Sequence, residues 1–225
     1  MLVSLDNNRW LYDWMQDNWQ EELYNMDMIQ LLHKLPRKLT IALSGGVDSV
    51  AITDFLSNNH EIDAAFFHHG TDASDDAYDF VFYFCKDRGI NLTVGYIRNE
   101  KPKEHSWEEH WRNERYRFLE EFEYVVTGHH LNDCIETYIW SAMHGTPKVI
   151  PDTRKNVHRP FLLNNKQTFI DWCTRKNIEW RDDRSNDNVA YMRNYIRKNV
   201  VEHAYHINPG IEKVVKKLIL DASQS

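Results

Sequence analysis

The chain has 225 residues, 42% of them hydrophobic, with a formal net charge of −7, enough for one large domain or a domain with an appendage. No apolar run reaches the length of a membrane span, and the start, Met1-Leu2-Val3-Ser4-Leu5-Asp6, leads into a polar, acidic stretch unlike a secretory leader. Cys85, Cys134 and Cys173 are scattered and odd in number, which argues against a disulfide framework or a CxxC pair and fits a reducing, cytoplasmic setting.

Residues 1–37 precede the first expected strand. Trp10, Leu11, Trp14, Met15, Leu23, Met26, Ile29 and His33 approximate a helical stripe that Pro36 ends. The stripe reads as packing, with a partner surface or a homodimer contact as the alternative. Leu39 to Leu43 then reads as a buried strand. It turns at Ser44-Gly45-Gly46 into a helix carrying Val50, Ile52, Phe55 and Leu56.

That turn has the makings of a phosphate cradle. Two glycines let backbone approach an anion without an intervening Cβ. The N–H groups of the loop and first helical turn point at the anion, and the helix dipole favours negative charge there. The Walker A pattern is absent; the loop reads Ser44-Gly45-Gly46-Val47-Asp48-Ser49. A carboxylate among phosphates makes sense if Asp48 holds a magnesium ion. An incidental Gly-Gly turn is the alternative.

Ile62–His68 reads as a second strand, followed by His68-His69-Gly70. A helix over 75–88 closes at Gly89. Asn91–Ile97 is a third strand. Trp107–Phe122 is helical, with Ser106 as cap and Glu109 as its partner. Tyr124–Thr127 is a fourth strand, and 128–143 is loop and then helix. His144–Val157 is loop-like. Further helices are expected near 165–176, 189–206 and 209–222, the last with Asn208 as cap and Pro209 in its first turn. Strands alternating with helices predict a doubly wound, mostly parallel α/β sheet with a small helical C-terminal appendage. The expected divisions are 1–37, 38–150 and 151–225. Ligands of such sheets sit beyond the carboxyl ends of the strands. That rule brings Ser44–Ser49, His68–Gly70 and Gly128–Asp133 to one edge.

If the chain is helical from Leu131, then His129, Asp133 and Glu136 fall on one face, able to hold a metal ion or a cationic substrate. Acids placed for the helix dipole are the alternative. His130 reads as a packing residue. Arg112 and Arg115 are neighbours on a helix. Arginine beside a triphosphate steadies the charge that builds as pyrophosphate leaves, although surface pairing with Glu108, Glu109 or Glu114 competes. Arg193 and Arg197 lie one turn apart, able to clamp a carboxylate or a phosphate. Residues 1–125 hold 12 Lys/Arg against 23 Asp/Glu, and residues 126–225 hold 15 against 11. The asymmetry suggests that a polyanion touches only one side, with a solvated helix face as the alternative.

SGGxDS after a strand resembles the PP-loop ATP pyrophosphatases, of the adenine nucleotide alpha hydrolase-like fold. The ordered set Ser44–Ser49, His68–Gly70, Arg112–Tyr116, Gly128–Thr137, Arg159–Pro160, Asp183–Asn186 and Arg193–Arg197 resembles one branch, the tRNA(Ile)-lysidine synthetases, over roughly residues 39–205. The resemblance implies a ligase that uses ATP and Mg2+ to adenylate the wobble cytidine of an isoleucine tRNA with a CAU anticodon. Free lysine then attacks, giving lysidine, AMP and pyrophosphate.

By the same resemblance Ser44, Gly45, Gly46, Asp48, Ser49, His68 and Gly128 hold the nucleotide, and Arg115 and His129 orient the α-phosphate region. Asp48, with Asp133, is the metal candidate. Asp133 and Glu136 meet the amino groups of lysine, and Arg193 or Arg197 its carboxylate. Asn132 stands where many relatives carry a second acid. The chain stops where longer relatives continue, so the resemblance is to a short form in which tRNA contact rests on the basic closing helices. Another adenylating PP-loop enzyme, or an inactive nucleotide- or tRNA-binding module, is the alternative.

Overall fold

The computed structural model describes residues 29–181 and 192–223. Trp10, Trp14 and the rest of the front stripe before Ile29, together with Asp183–Asn186, lie outside the described residues. The strands are β1 (Lys38–Ala42), β2 (Glu61–His68), β3 (Asn91–Tyr96), β4 (Val125–Val126), β5 (Thr153–Arg154) and β6 (Val157–His158). The helices are α1 (Val47–Ser57), α2 (Asp72–Arg88), α3 (Trp107–Leu119), α4 (Leu131–Met143), α5 (Lys166–Arg175), α6 (Met192–Asn199), α7 (Val201–Ile207) and α8 (Ile211–Ser223).

One sheet runs β3-β2-β1-β4-β6-β5. All neighbours are parallel except the antiparallel β5–β6 edge. Alternation along β2 explains the two layers. Ala64 and Phe66 join a core with α1, α2 and α5, while Ala65 and Phe67 face Phe118 and Leu119 of α3 on the other side. Helices on both faces with parallel strands make the sheet doubly wound, as the alternation of elements predicts. A separate apolar cluster, built on Leu131, Ile135 and Ile139, packs α4 against Ile196 of α6 and Ile211, Val215 and Ile219 of α8. Among the described residues no helix is long and apolar enough to cross a membrane.

Several sequence expectations change, among them the start of the closing helix, which begins at Ile211 after Asn208 and Pro209 and not at Pro209. The stretch 153–158, expected as loop and beyond the ATP-binding segment, supplies β5 and β6 of the same sheet. Its turn places Lys155 in the left-handed region, φ 56°. Residues 29–37 are not helical. Their backbone pairs sideways instead, with Leu32 N–H donating to Pro160 O at 2.8 Å and Gln30 N–H to Asn164 Oδ1 at 2.7 Å. The expected helix over 189–206 is two helices, α6 and α7, that meet at Val200.

Candidate active site

The phosphate loop is built by its own serines. Ser49 is buried, and its Oγ donates to Gly46 O at 2.9 Å while accepting from Ser44 N–H at 3.2 Å. That proton assignment makes Ser44 Oγ the donor in the 3.2 Å contact between the two hydroxyls. Arg181 N–H donates to Gly45 O at 2.9 Å and holds the loop from outside. Gly45 has φ +88°, and a Cβ there would press Phe80 and Val81 at 3.3 Å, so only glycine suits the turn. Among the described residues no side chain caps α1 at Gly46, which leaves its first-turn N–H groups to meet an anion.

Asp48 sits in that first turn. Its Oδ1 is buried without a hydrogen-bond partner among the described residues, and Oδ2 lies 3.6 Å from His130 Nε2. His130 is 3% exposed and is the residue that the sequence reading missed. Its Nδ1 lies 3.6 Å from Asp133 Oδ2, and its backbone N–H donates to the same oxygen at 3.0 Å. Burial works against a charged His130 ring, but Asp133, Asp48 and Glu136 outweigh it and raise its pKa. The link was invisible in sequence because it joins two helix N-termini, with Asp48 and His130 82 residues apart in number.

Asp133 is ionised well below the usual carboxylate range: burial opposes this, and His130, Arg193 and His129 prevail. Its Oδ1 accepts from Arg193 Nη2 at 3.1 Å. Glu136, 3% exposed, accepts from Arg193 Nε at 3.1 Å and from Arg197 Nε and Nη2 at 2.5 and 3.1 Å. Both acids and both arginines expected at a lysine site therefore meet in one cluster, already paired with each other.

His129 lies beside them, its Nδ1 2.8 Å from Thr127 Oγ1. Desolvation, with Arg159, Arg193 and Arg115 against the pull of Asp133, lowers its pKa to about 3. Arg115 is half-buried, and burial together with Arg112 and Arg193 lowers its pKa. Gly128 brings the chain against α1: a Cβ there would lie 3.1 Å from the carbonyl carbon of Asp48.

His68 is at the same edge but is occupied. Its Nδ1 accepts from Gly70 N–H at 3.1 Å, so Nε2–H donates to Asp75 Oδ1 at 2.9 Å. Asn132 accepts from Lys166 N–H at 2.9 Å and thereby holds the start of α5.

Magnesium fits part of this donor set. The ion needs only one or two carboxylates when phosphates supply further oxygens, and the orphaned Oδ1 of Asp48 offers one. Asp133 fits poorly, since both its oxygens already accept from nitrogen donors. Among the described residues no group of three or more His, Cys, Asp or Glu forms a closed metal cage.

The PP-loop domain family matches residues 16–204. The tRNA(Ile)-lysidine synthase of Persephonella marina is 33% identical over 195 residues, covering 78% of this chain and 43% of that protein. The enzyme of the same name from Exiguobacterium sibiricum is 28% identical over 198 residues, covering 81% and 47%. The chain thus spans under half the length of these curated relatives. Among solved structures, the tRNA thiolase NcsA of Methanococcus maripaludis aligns with a TM-score of 0.64 at 14% identity, covering 90% of this chain and 76% of that one. At that identity the likeness concerns fold alone. With the match spanning most of its length, and SGGVDS seated between β1 and α1, the chain belongs to the PP-loop domain family.

Proposed function

We propose that this chain ligates free lysine to the wobble cytidine of an isoleucine tRNA through an adenylated base. The observation that carries the reading is the adjacency of two sites of opposite character. The uncapped start of α1 suits the tail of ATP. Across His130 from it, Asp133, Glu136, Arg193 and Arg197 suit a molecule that bears two amino groups and a carboxylate. The names of the curated relatives agree with this chemistry.

The target base presents a carbonyl oxygen, a poor leaving group. Its attack on the α-phosphorus of ATP breaks the bond to the bridging oxygen and releases pyrophosphate. The lysine side-chain amine then attacks the activated ring carbon, and AMP departs. The loop N–H groups of residues 45–49 take up charge on the departing pyrophosphate. A magnesium ion at Asp48, when bound, neutralises phosphate charge.

Arg115 contributes a fixed cation to the same field. His129 stays neutral at physiological pH. In the tautomer that accepts from Thr127 Oγ1 at Nδ1, 2.8 Å away, the ring carries the proton on Nε2, ready to donate to a phosphate oxygen. Arg193 and Arg197 exchange part of their pairing with the acids for the lysine carboxylate, and the acids turn to the lysine ammonium groups.

Incubation with radiolabelled lysine, ATP, Mg2+ and an isoleucine tRNA transcript bearing CAU tests the reading. The label should enter the RNA as AMP and pyrophosphate appear. ATP consumption without label in the cognate transcript would point to a different adenylating RNA modification.

A further inference from the structure

The C-terminal ends of β2 and β3 carry more aromatic surface than the core uses. Trp107 is 55% exposed. Its ring lies 5.9 Å from that of Trp111, tilted by 36°, and Trp111 in turn rests 5.7 Å from His69. His69 belongs to the segment after β2, on the nucleotide edge. Trp107, Trp111 and Arg115 recur every four residues of α3, so they share one face. At about 1.5 Å per residue, each step along that face is roughly 6 Å. The line starts beside the reaction site, where Arg115 lies near His129 and Arg193, and ends in solvent at Trp107. Lys101 Nζ lies 5.6 Å over the Trp107 ring.

Charge tells what the line meets. Arg112 and Arg154 flank Tyr116, with guanidinium carbons 4.9 and 5.0 Å from its ring centre. Among the described residues neither has a carboxylate within ion-pair distance. At the other end the exposed carboxylates of Glu108 and Glu109 follow Trp107. Phosphates are favoured near the arginines. A flat aromatic face suits the uncharged part of a nucleotide, the base, which stacks irrespective of sequence.

We propose that Trp111 and Trp107 form a stacking shelf for unpaired RNA bases next to the base held at the reaction centre, while Arg112 and Arg154 hold the adjoining backbone. This rests on the RNA reading above and adds where the loop of that RNA lies. A paired duplex offers no free base faces, so the shelf selects single-stranded RNA.

The test uses the full chain and a fluorescein-labelled RNA hairpin carrying the CAU loop, read by anisotropy, with an uninterrupted RNA duplex as control. Loss of one stacked base is worth about tenfold in affinity, so Trp107→Ala and Trp111→Ala should each bind the hairpin about that much more weakly. Trp111→Phe, which keeps a ring, should bind close to wild type, and duplex binding should be equal in all. Trp107 is exposed enough that its alanine variant keeps the fold. Wild-type affinity in both alanine variants overturns the shelf and leaves the RNA reading standing. A wild-type chain that ignores the hairpin overturns both. Self-association that Trp107→Ala abolishes, with hairpin binding intact, would make the shelf an interface between copies and overturn the proposal.

Discussion

Gly128 and Asp48 touch so closely that a methyl group on the glycine would stand 3.1 Å from the Asp48 carbonyl carbon and 3.2 Å from its Cβ. The contact is against helical backbone, which cannot swing aside as a side-chain tip can. Gly128→Ala should therefore push the first turn of α1 away from the loop after β4. Overpacking of this kind costs about 1–3 kcal/mol. Thermal denaturation should report that loss, and the KM for ATP should rise, because the displaced turn presents the loop N–H groups.

Asp48 has a buried carboxylate oxygen with no hydrogen-bond partner among the described residues. Asp48→Asn keeps the shape and removes the charge. A metal-held phosphate is worth several kcal/mol of charge stabilisation, so turnover should fall by roughly a hundredfold or more. The Mg2+ concentration needed for half-maximal pyrophosphate release should rise, with little change in melting temperature. Chelation of Mg2+ should stop wild-type turnover.

Glu136 is enclosed by two guanidiniums that are themselves 37% and 34% exposed. Breaking a fully buried pair costs about 3–5 kcal/mol. Solvent at the arginines discounts this to roughly 1–3 kcal/mol for Glu136→Ala. Arg197→Lys should forfeit the paired contacts to both oxygens of Glu136, because an ammonium cannot reproduce the fork. Steady-state kinetics should show the KM for lysine rising in both variants, with the KM for ATP much less affected.

His129 is held neutral, with its pKa lowered from 6.5 to about 3. Between those values the unfolded chain takes up a proton that the folded ring refuses. The contribution of His129 to stability is thus full above pH 6.5 and lost as pH falls through the window. His130 has the opposite sign. Its raised pKa gives a contribution that is full at low pH and lost as pH rises through its folded value. Nitrogen-15 NMR of the histidine rings should show His129 neutral at pH 5, where His130 is charged. A charged His129 at that pH would contradict the assignment.

The strand, glycine turn and helix from Leu39 to Leu56 were legible in the sequence because each signal is local: an apolar run, two glycines, then helical spacing. The sheet rule then brought three clusters to one edge without coordinates. The rest is tertiary. β5 and β6 are two residues each and exist only through pairing with one another and with β4, so no periodicity marks them. His130 resembled packing because its role needs Asp48 and Asp133 on either side. Arg193 and Arg197 were readable as a clamp, but their pairing with the acids they were expected to assist depends on how α6 lies against α4. His68 looked available until Gly70 and Asp75 claimed both its ring nitrogens.

The central claim is that the turn between β1 and α1 grips ATP while a base of RNA is adenylated and then aminated. Mass spectrometry of nucleosides, digested from isoleucine tRNA after incubation with ATP, Mg2+ and lysine, addresses it most directly. The account predicts a cytidine bearing one lysine, absent when ATP is omitted and greatly reduced with Asp48→Asn. Unmodified cytidine in the complete reaction, from a folded protein that binds the tRNA, would contradict it.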